Sequence, residues 1–552
     1  MPDHSGIWSI DEARDQHRFS QTLSDALADA LPMAEPVSDL GCGMGDYASS
    51  LLDRGYVVLA YDGTPNLDKI GSVSPIHEID LTERFSFEER TNILCLEVGE
   101  HLPPQYESSF LDSLIRNSLH RIILSWAVPG QGGNGHLNEQ SNYHIIAEME
   151  KRGATYNTDL TESIRHDMKD DELWWFKNTI MVFDTTPMPI VGCAIIAKNE
   201  EKTISRAINS VLPHVDLIVL NSVGSTDNTN LVAKSAIPPW IRFEVIEPDW
   251  LGAADALNRS AGKCQDLGAD WILRMDADCI LRGSLPDFRE YSYDVGAINM
   301  KYYNINEDHP SGELFSCWRT WLYRPEDATY KGVRHEGLFQ TKMLSGSDAG
   351  DYFHYDDSGA RPRVAETYLS DANAMEEALK SETDEAMIQR YTFYIANSYR
   401  DAGEHDTALI WYRLRSQMGG FRDEEAISLL NCARATQSRQ DFLEGVIRFN
   451  ERPDVAFSAL ENAYNSNDLK WMAEVLSYTK NANLVSDVMF NDPDNVWKVH
   501  DWIALCLMKL GDIECITRWE TLLKNEQIPP NDLLRIQDAY LKAVYFHHPT
   551  GV

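Results

Sequence analysis

The stretch ILRMDADCIL, residues 272–281, ends an apolar, strand-like run on two carboxylates, Asp276 and Asp278, separated by one small residue. Like charges this close at the end of a buried strand repel one another unless a positive group sits beside them. Oxygen-only ligands of this kind suit Mg²⁺ or Mn²⁺, ions that complete their shells with substrate phosphates. In open α/β sheets, ligands dock at the carboxyl ends of central strands. The pair is therefore a candidate metal site facing a diphosphate, although acidic tripeptides are also common on plain surfaces.

The flanking sequence has α/β texture. IVGCAIIAKNEEKTISRAINSVL, from residue 190, reads as a buried strand, a polar turn and a helix. Ile204, Ala207, Ile208, Val211 and Leu212 keep the spacing of one helical face. VDLIVLN predicts a second strand before SVGSTDNT, and IRFEVI a third. A helix starts near Ala253, and DWILR delivers the two aspartates.

Upstream, VSDLGCGMGDYASSLLDRGYVVLAYD reads as strand, glycine turn, helix, strand. Gly41, Gly43 and Gly45 allow a tight turn and a close ligand approach, with Asp46 as a helix cap. Asp62 ends the next strand some twenty residues on, where an acid can bond both hydroxyls of a ribose. This is a nucleotide site for a dinucleotide or S-adenosylmethionine, or else an ordinary strand–helix loop. A further loop, PGQGGNGHLNEQSN, carries His136, Asn138 and Gln140 and suits either acceptor contacts or a plain connection.

Beyond about residue 365 the strand signals stop. YIANSYRDAGEHDTALIWYRL sets Ala396, Tyr399, Gly403, Ala408 and Tyr412 at a spacing that pairs two helices, and the pattern partly recurs around Gly511. The expected architecture is multidomain. It comprises a Rossmann-like α/β domain over 1–185, a second α/β domain over 186–364 after the proline-bearing DTTPMP linker, and an all-α repeat domain over 365–552. The repeats suit a groove for a protein partner or a buttress for the domain before them.

Composition narrows the partners. The 552 residues hold 49 basic and 86 acidic side chains, a net charge of −37. That field repels duplex nucleic acid and anionic membranes. Nine scattered cysteines without a CxxC pair suggest reduced thiols. The polar, acidic N-terminus predicts no secretory signal, and the longest apolar run is too short to span a bilayer, so a cytoplasmic location is expected.

Two resemblances sharpen these readings. DLGCGMG resembles motif I of class I S-adenosylmethionine-dependent methyltransferases. CLEVGEHLP, residues 95–103, resembles the segment after the fourth strand in O-methyltransferases of the ubiquinone-biosynthesis type. The resemblance implies that Asp39, Gly41, Gly43, Gly45 and Asp62 hold S-adenosylmethionine and that Asp80 reaches its adenine. It makes His101 the candidate general base, since a hydroxyl must lose its proton as it accepts a methyl group. A helix cap is the plainer reading of His101, and Glu97 and Glu100 suit orienting it or binding a metal.

Further along, IIAKNEE, VGSTDNT, MDAD, GVRHEG and YFHYDDS occur in the order found in family 2 glycosyltransferases of the GT-A fold, including bacterial members that carry tetratricopeptide repeats. This resemblance implies a nucleotide-sugar donor held by Lys198, Asn199, Glu200, Ser225, Asp227, Asn258 and Asp276. It implies Mn²⁺ or Mg²⁺ on Asp276, Asp278 and His354, with a glycan or glycoconjugate as acceptor. Glu336 is the candidate base, with an ion pair to Arg334 as the plainer reading. Two positions depart from the family pattern. Ser222, beside Asn221, stands where an aspartate usually reads the nucleotide base, and Leu257 stands where an arginine is expected, unless Arg259 substitutes. The base and the sugar therefore stay unnamed.

Overall fold

The apolar runs on either side of the glycine turns become the central strands of two separate sheets. The computed structural model describes residues 7–87, 89–168, 173–238, 240–288, 291–305, 313–355, 364–525 and 528–547. The chain divides into two compact units, residues 1–189 with 239–241, and residues 190–238 with 242–552.

In the first unit the strands are β1 (Val37–Leu40), β2 (Val58–Asp62), β3 (Ile76–Glu78), β4 (Thr91–Cys95), β5 (Ser118–Ser125), β6 (Thr155–Tyr156) and β7 (Ile180–Asp184). They form one sheet in the order β3-β2-β1-β4-β5-β7-β6. The first five strands in that row are parallel, and β7 runs antiparallel to both β5 and β6. This is the strand order of the class I methyltransferase fold. Chain order reverses on either side of β1, which opens a crevice at the carboxyl ends of β1 and β4. β1 and β4 are buried along their whole length because helices cover both faces of the sheet.

The second unit holds β8 (Val191–Ala197), β9 (Leu217–Ser222), β10 (Arg242–Ile246), β11 (Trp271–Asp276), β12 (Cys279–Gly283), β13 (Val295–Ile305), β14 (Glu313–Tyr323), β15 (Ala328–Lys331), β16 (Gly337–Gln340) and β17 (Met343–Tyr355). Its main sheet runs β10-β9-β8-β11-β14-β13-β17-β12. The β10-β9-β8-β11 half is parallel, and β14 then pairs antiparallel with β11. The helix Ile204–Val211 buries Ile204, Ala207, Ile208 and Val211, the face its spacing predicts. β12 pairs antiparallel with β17 and sets Cys279 opposite His354, next to the aspartate couplet. No local pattern announces that pairing.

Helices complete the second unit. Glu385–Asp401 and His405–Arg415 meet at Gly403, whose φ of +86° suits glycine, and bury Ala396 and Ala408 between them. Asn495–Lys509 and Glu514–Leu522 repeat the arrangement at Gly511, φ +76°. The helix Glu385–Asp401 packs directly on the sheet domain. The Arg390 guanidinium donates to the carbonyls of His335 and Glu336, Tyr391 Oη accepts from the Val333 N–H at 3.1 Å, and the His335 ring stacks on Tyr394. All nine cysteines are free and buried. Among the described residues, no helix is long and apolar enough to cross a membrane.

Candidate functional site

Each unit presents a cavity at the carboxyl ends of its parallel strands. In the first, a cavity of about 200 Å³ is lined by Asp39, Gly41, Asp62, Asp80, Glu97 and His101. The glycine turn has φ values of +70°, +54° and +78° at Gly41, Gly43 and Gly45, conformations that other residues adopt only with strain. Gly43 donates its N–H to Asp62 Oδ2 at 2.8 Å, and Thr64 N–H reaches Asp62 Oδ1 at 2.8 Å. Gly45 starts the helix Asp46–Asp53 and packs under Val73. Asp80 accepts from the Thr82 N–H and hydroxyl through one oxygen.

Asp39 is buried, and its Oδ2 has no hydrogen-bond partner. Burial and the nearby Asp62 charge push its pKa up to about 7. An unsatisfied carboxylate of this kind suits a ligand that brings positive charge or N–H donors. His101 moves the other way. Burial first, then the neighbouring His136, hold it down to about 4, so it is neutral at pH 7. Its Nδ1 faces the Gly135 carbonyl at 3.3 Å, and its ring meets Trp8 and His136 edge-on. A base of pKa about 4 is a poor match for proton abstraction near neutrality.

The glycine-rich loop is well anchored. Glu139 accepts from the N–H groups of Gly130 and Gly132, and Glu107 accepts from the side-chain amides of Asn138 and Gln140. Sequence reasoning missed Trp8, His17 and Arg18, which also line this cavity. The His17 ring lies directly against Gly43, where any side chain would collide with it. The available signal was the capping box formed by Ser9 and Glu12, which announces a short N-terminal helix.

The second unit has a cavity of about 1510 Å³, lined by Lys198, Asn199, Glu200, Asp276, Asp278, Glu336 and His354 among others. His354 Nε2 lies 3.3 Å from Asp278 Oδ2, and its Nδ1 lies 3.0 Å from Tyr302 Oη. Burial opposes ionisation of Asp278, yet the His354 hydrogen bond and charge carry its pKa below the ordinary carboxylate range. Asp276 turns elsewhere, with Oδ1 3.2 Å from Arg274 Nη2. Asp276, Asp278 and His354 are not gathered within 4.8 Å of one another.

The same Arg274 group reaches Glu336 Oε1 at 2.8 Å. The expected ion pair between Glu336 and Arg334 is absent from the described contacts. Arg334 Nε bonds Asp371 Oδ1 of the helix Ala365–Leu379 at 2.9 Å instead. Arg274 lies two residues before Asp276 on β11 and so shares its face of the sheet, a signal the period of a strand offers.

Ser225, Asp227 and Asn258 are absent from the lining. Ser225 Oγ accepts from the Asn199 N–H, and Asp227 Oδ2 from the Glu201 N–H. These contacts clasp the loop after β8 to the loop after β9. Asn258 bonds both the N–H and the carbonyl of Tyr330. Arg259 pairs with Asp255 and is absent from the lining. Asn221 donates to the Ala256 carbonyl, leaving its Oδ1 and the Ser222 hydroxyl buried without partners. Residues 356–358 of the YFHYDDS motif lie outside the described residues.

The cavity, its aspartate couplet and the half-parallel sheet invite comparison with known proteins. Residues 193–332 match the model of glycosyl transferase family 2. An uncharacterized glycosyltransferase of Rickettsia typhi is 36% identical over 106 residues, which is 19% of this chain and 34% of the relative. The chain thus spans about a third of the length of the curated relatives it matches. Among solved structures, a magnesium protoporphyrin IX methyltransferase from Synechocystis with bound SAM is 16% identical, covering 32% of this chain and 88% of its own, at a TM-score of 0.23. A glucosyl-3-phosphoglycerate synthase from Mycobacterium tuberculosis, in complex with Mn²⁺, uridine diphosphate and phosphoglyceric acid, is 16% identical over 39% of this chain and 79% of its own, at 0.24. The glycosyltransferase match ends at residue 332, four residues before Glu336.

Proposed function

We propose that the chain is a two-headed glycan-modifying enzyme. Its second unit transfers a sugar from a nucleotide-sugar to an acceptor hydroxyl, and its first methylates an oxygen with S-adenosylmethionine. The observation that carries the reading is the meeting of Asp276 and Asp278, which lie inside the family 2 segment, with Glu336 and His354 on one cavity. Asp278 and His354 would hold Mn²⁺ or Mg²⁺, with Asp276 joining once released from Arg274, and the ion would neutralise the leaving diphosphate. Asn199 and Glu200 line the donor end, with Ser225 accepting from the Asn199 N–H and Asp227 from the Glu201 N–H behind them.

Glu336 is the group we assign to the acceptor. Its carboxylate takes the hydroxyl proton as the acceptor oxygen bonds to C1 and the diphosphate leaves with the electron pair. Arg274 sets its orientation. Glu336→Gln is expected to lower kcat about 100-fold while donor binding measured by calorimetry stays unchanged. A parallel loss of donor affinity would remove Glu336 from the base role. Arg390→Ala frees the carbonyls of His335 and Glu336, and should lower kcat roughly tenfold with KM for the donor held. An unchanged kcat would mean the helices cover the sheet without supporting the base.

In the first unit, Asp39, Asp62 and Asp80 fit S-adenosylmethionine. Asp62 suits the ribose hydroxyls, Asp80 the adenine, and the partnerless Asp39 oxygen the positively charged methionyl end. The cofactor supplies an electrophilic methyl group. Calorimetric titration with S-adenosylmethionine tests this half of the reading, and no heat of binding would end it. Joining both heads in one chain raises the effective concentration of each for a shared acceptor. We read the helical pairs as tetratricopeptide-like.

A further inference from the structure

One arginine on the wall of the larger cavity has no acid of its own. Among the described residues four arginines line that cavity. Arg274 meets Asp276 and Glu336, Arg334 meets Asp371, and Arg390 lies 3.5 Å from Glu424. Arg319 is the exception. Its guanidinium carbon lies 3.8 Å from the centre of the Tyr302 ring, and the groups that act on its charge are Tyr302, Cys317 and Tyr394, two phenols and a thiol. Among the described residues no carboxylate pairs with it. The chain holds 86 acidic side chains against 49 basic ones, so acids are not in short supply. The two carboxylates that the helical region brings to this cavity, Asp423 and Asp487, are taken by Arg452 and Lys301, each at 2.6 Å.

A half-buried guanidinium keeps its charge and its five N–H donors. Sheltering that charge without a partner is costly, and an anionic ligand would remove the cost. Stacking on a ring engages the face of the group and leaves its N–H edge for a carboxylate or a phosphate.

The place of Arg319 in the sheet selects an end of the cavity. It stands on β14, which adjoins β11 on the side away from β8. Lys198, Asn199 and Glu200, assigned to the donor, follow β8. Tyr394, beside Arg319, comes from the helix Glu385–Asp401 and stacks on His335, the residue before Glu336. Arg319 therefore keeps company with the group assigned to the acceptor. Trp318 and Phe490 line the same cavity and stay exposed, apolar surface of the kind that covers the body of a small polar ligand.

We propose that Arg319 forms an anion subsite for the acceptor, a sugar or glycoconjugate that bears a carboxylate or a phosphate. The acid bonds the guanidinium while a hydroxyl of the same molecule meets Glu336. The acceptor role rests on the sugar-transfer reading above, whereas the anion subsite rests on Arg319 and its surroundings.

The test titrates the full-length chain by calorimetry, in a chelator so that no divalent ion holds the acid. The probes are methyl glucuronide, glucose 6-phosphate and the neutral methyl glucoside. The parent should bind an acidic probe at least about tenfold more tightly than the neutral one, and the better of the two acids separates a carboxylate from a phosphate acceptor. Arg319→Gln should weaken the acidic probes about 10–100-fold and leave the neutral probe unchanged. Arg319→Lys, which keeps the charge and loses the fork, should fall between. Equal binding of acidic and neutral probes by the parent, no binding of either acid, or unchanged acid binding in Arg319→Gln overturns the proposal. The parent's comparison decides should the variants fail to fold. Uridine and guanosine diphosphates are titrated separately with Mn²⁺. Loss of their binding in Arg319→Gln puts the guanidinium at the donor and overturns the acceptor assignment. A chain that binds the acid through Arg319 yet breaks down no nucleotide-sugar sinks the sugar-transfer reading and keeps the anion subsite.

Discussion

Replacing Asp278 with alanine in the full-length chain is expected to lower metal-dependent breakdown of a nucleotide-sugar by ~10³-fold or more, about 4 kcal/mol of lost transition-state stabilisation. Asp278 sits on the cavity wall beside His354. It is kept ionised against burial by His354, whereas Asp276 already has Arg274 as its counter-ion. Removing Asp278 takes the carboxylate from beside His354 and from the wall of the cavity. A panel of nucleotide-sugars run on the intact chain would identify the donor, and the same panel on Asp278→Ala would score the loss. Equal turnover in both proteins would refute the metal role. Asp278→Asn keeps the volume and separates lost charge from lost packing.

Asp39→Asn should shift stability and ligand binding in opposite directions. Asp39 has a folded-state pKa raised from 3.8 to about 7. A raised carboxyl pKa means the folded protein holds the proton more tightly than the unfolded chain. The stability it contributes is fully present below pH 3.8 and is lost as pH rises through about 7, at about 1.4 kcal/mol per unit. Asparagine removes that slope, so above pH 7 the ligand-free variant should be more stable than the parent by ~4 kcal/mol. Thermal melts at pH 5 and pH 8 measure the difference directly. The same change removes the charge proposed to meet the methionyl end, so S-adenosylmethionine should no longer give a heat of binding. A variant that is stabilised at pH 8 and still binds the cofactor would leave Asp39 as a strained residue without that role.

The strands and their functional ends were legible because burial leaves a local trace. β8 and β11 read as apolar runs, and Asp276 marks where one of them stops. The glycines at 41, 43 and 45 stood out because only their residue type adopts those backbone angles without strain. What stayed hidden depends on residues far apart in the chain. His354 reaches Asp278 only through the pairing of β12 with β17. Glu336 meets Arg274, while Arg334 bonds a neighbouring helix. Ser225, Asp227 and Asn258 carry the right residue types, yet their side chains join loops and elements to each other. A motif records which residues stand in order, and their hydrogen bonds record which of them face the cavity.

The wall of the larger cavity is shared. Tyr394, Asp487 and Phe490 come from the helical array, and Lys301 reaches across to Asp487 at 2.6 Å. Residue 364, where the strand-rich sequence gives way to helices, is therefore no seam for domain shuffling. A chain cut there, or given helices from another protein, would lose one side of its own binding chamber. Changes in the helical residues can reshape that side of the cavity while Asp276 and Asp278 stay untouched.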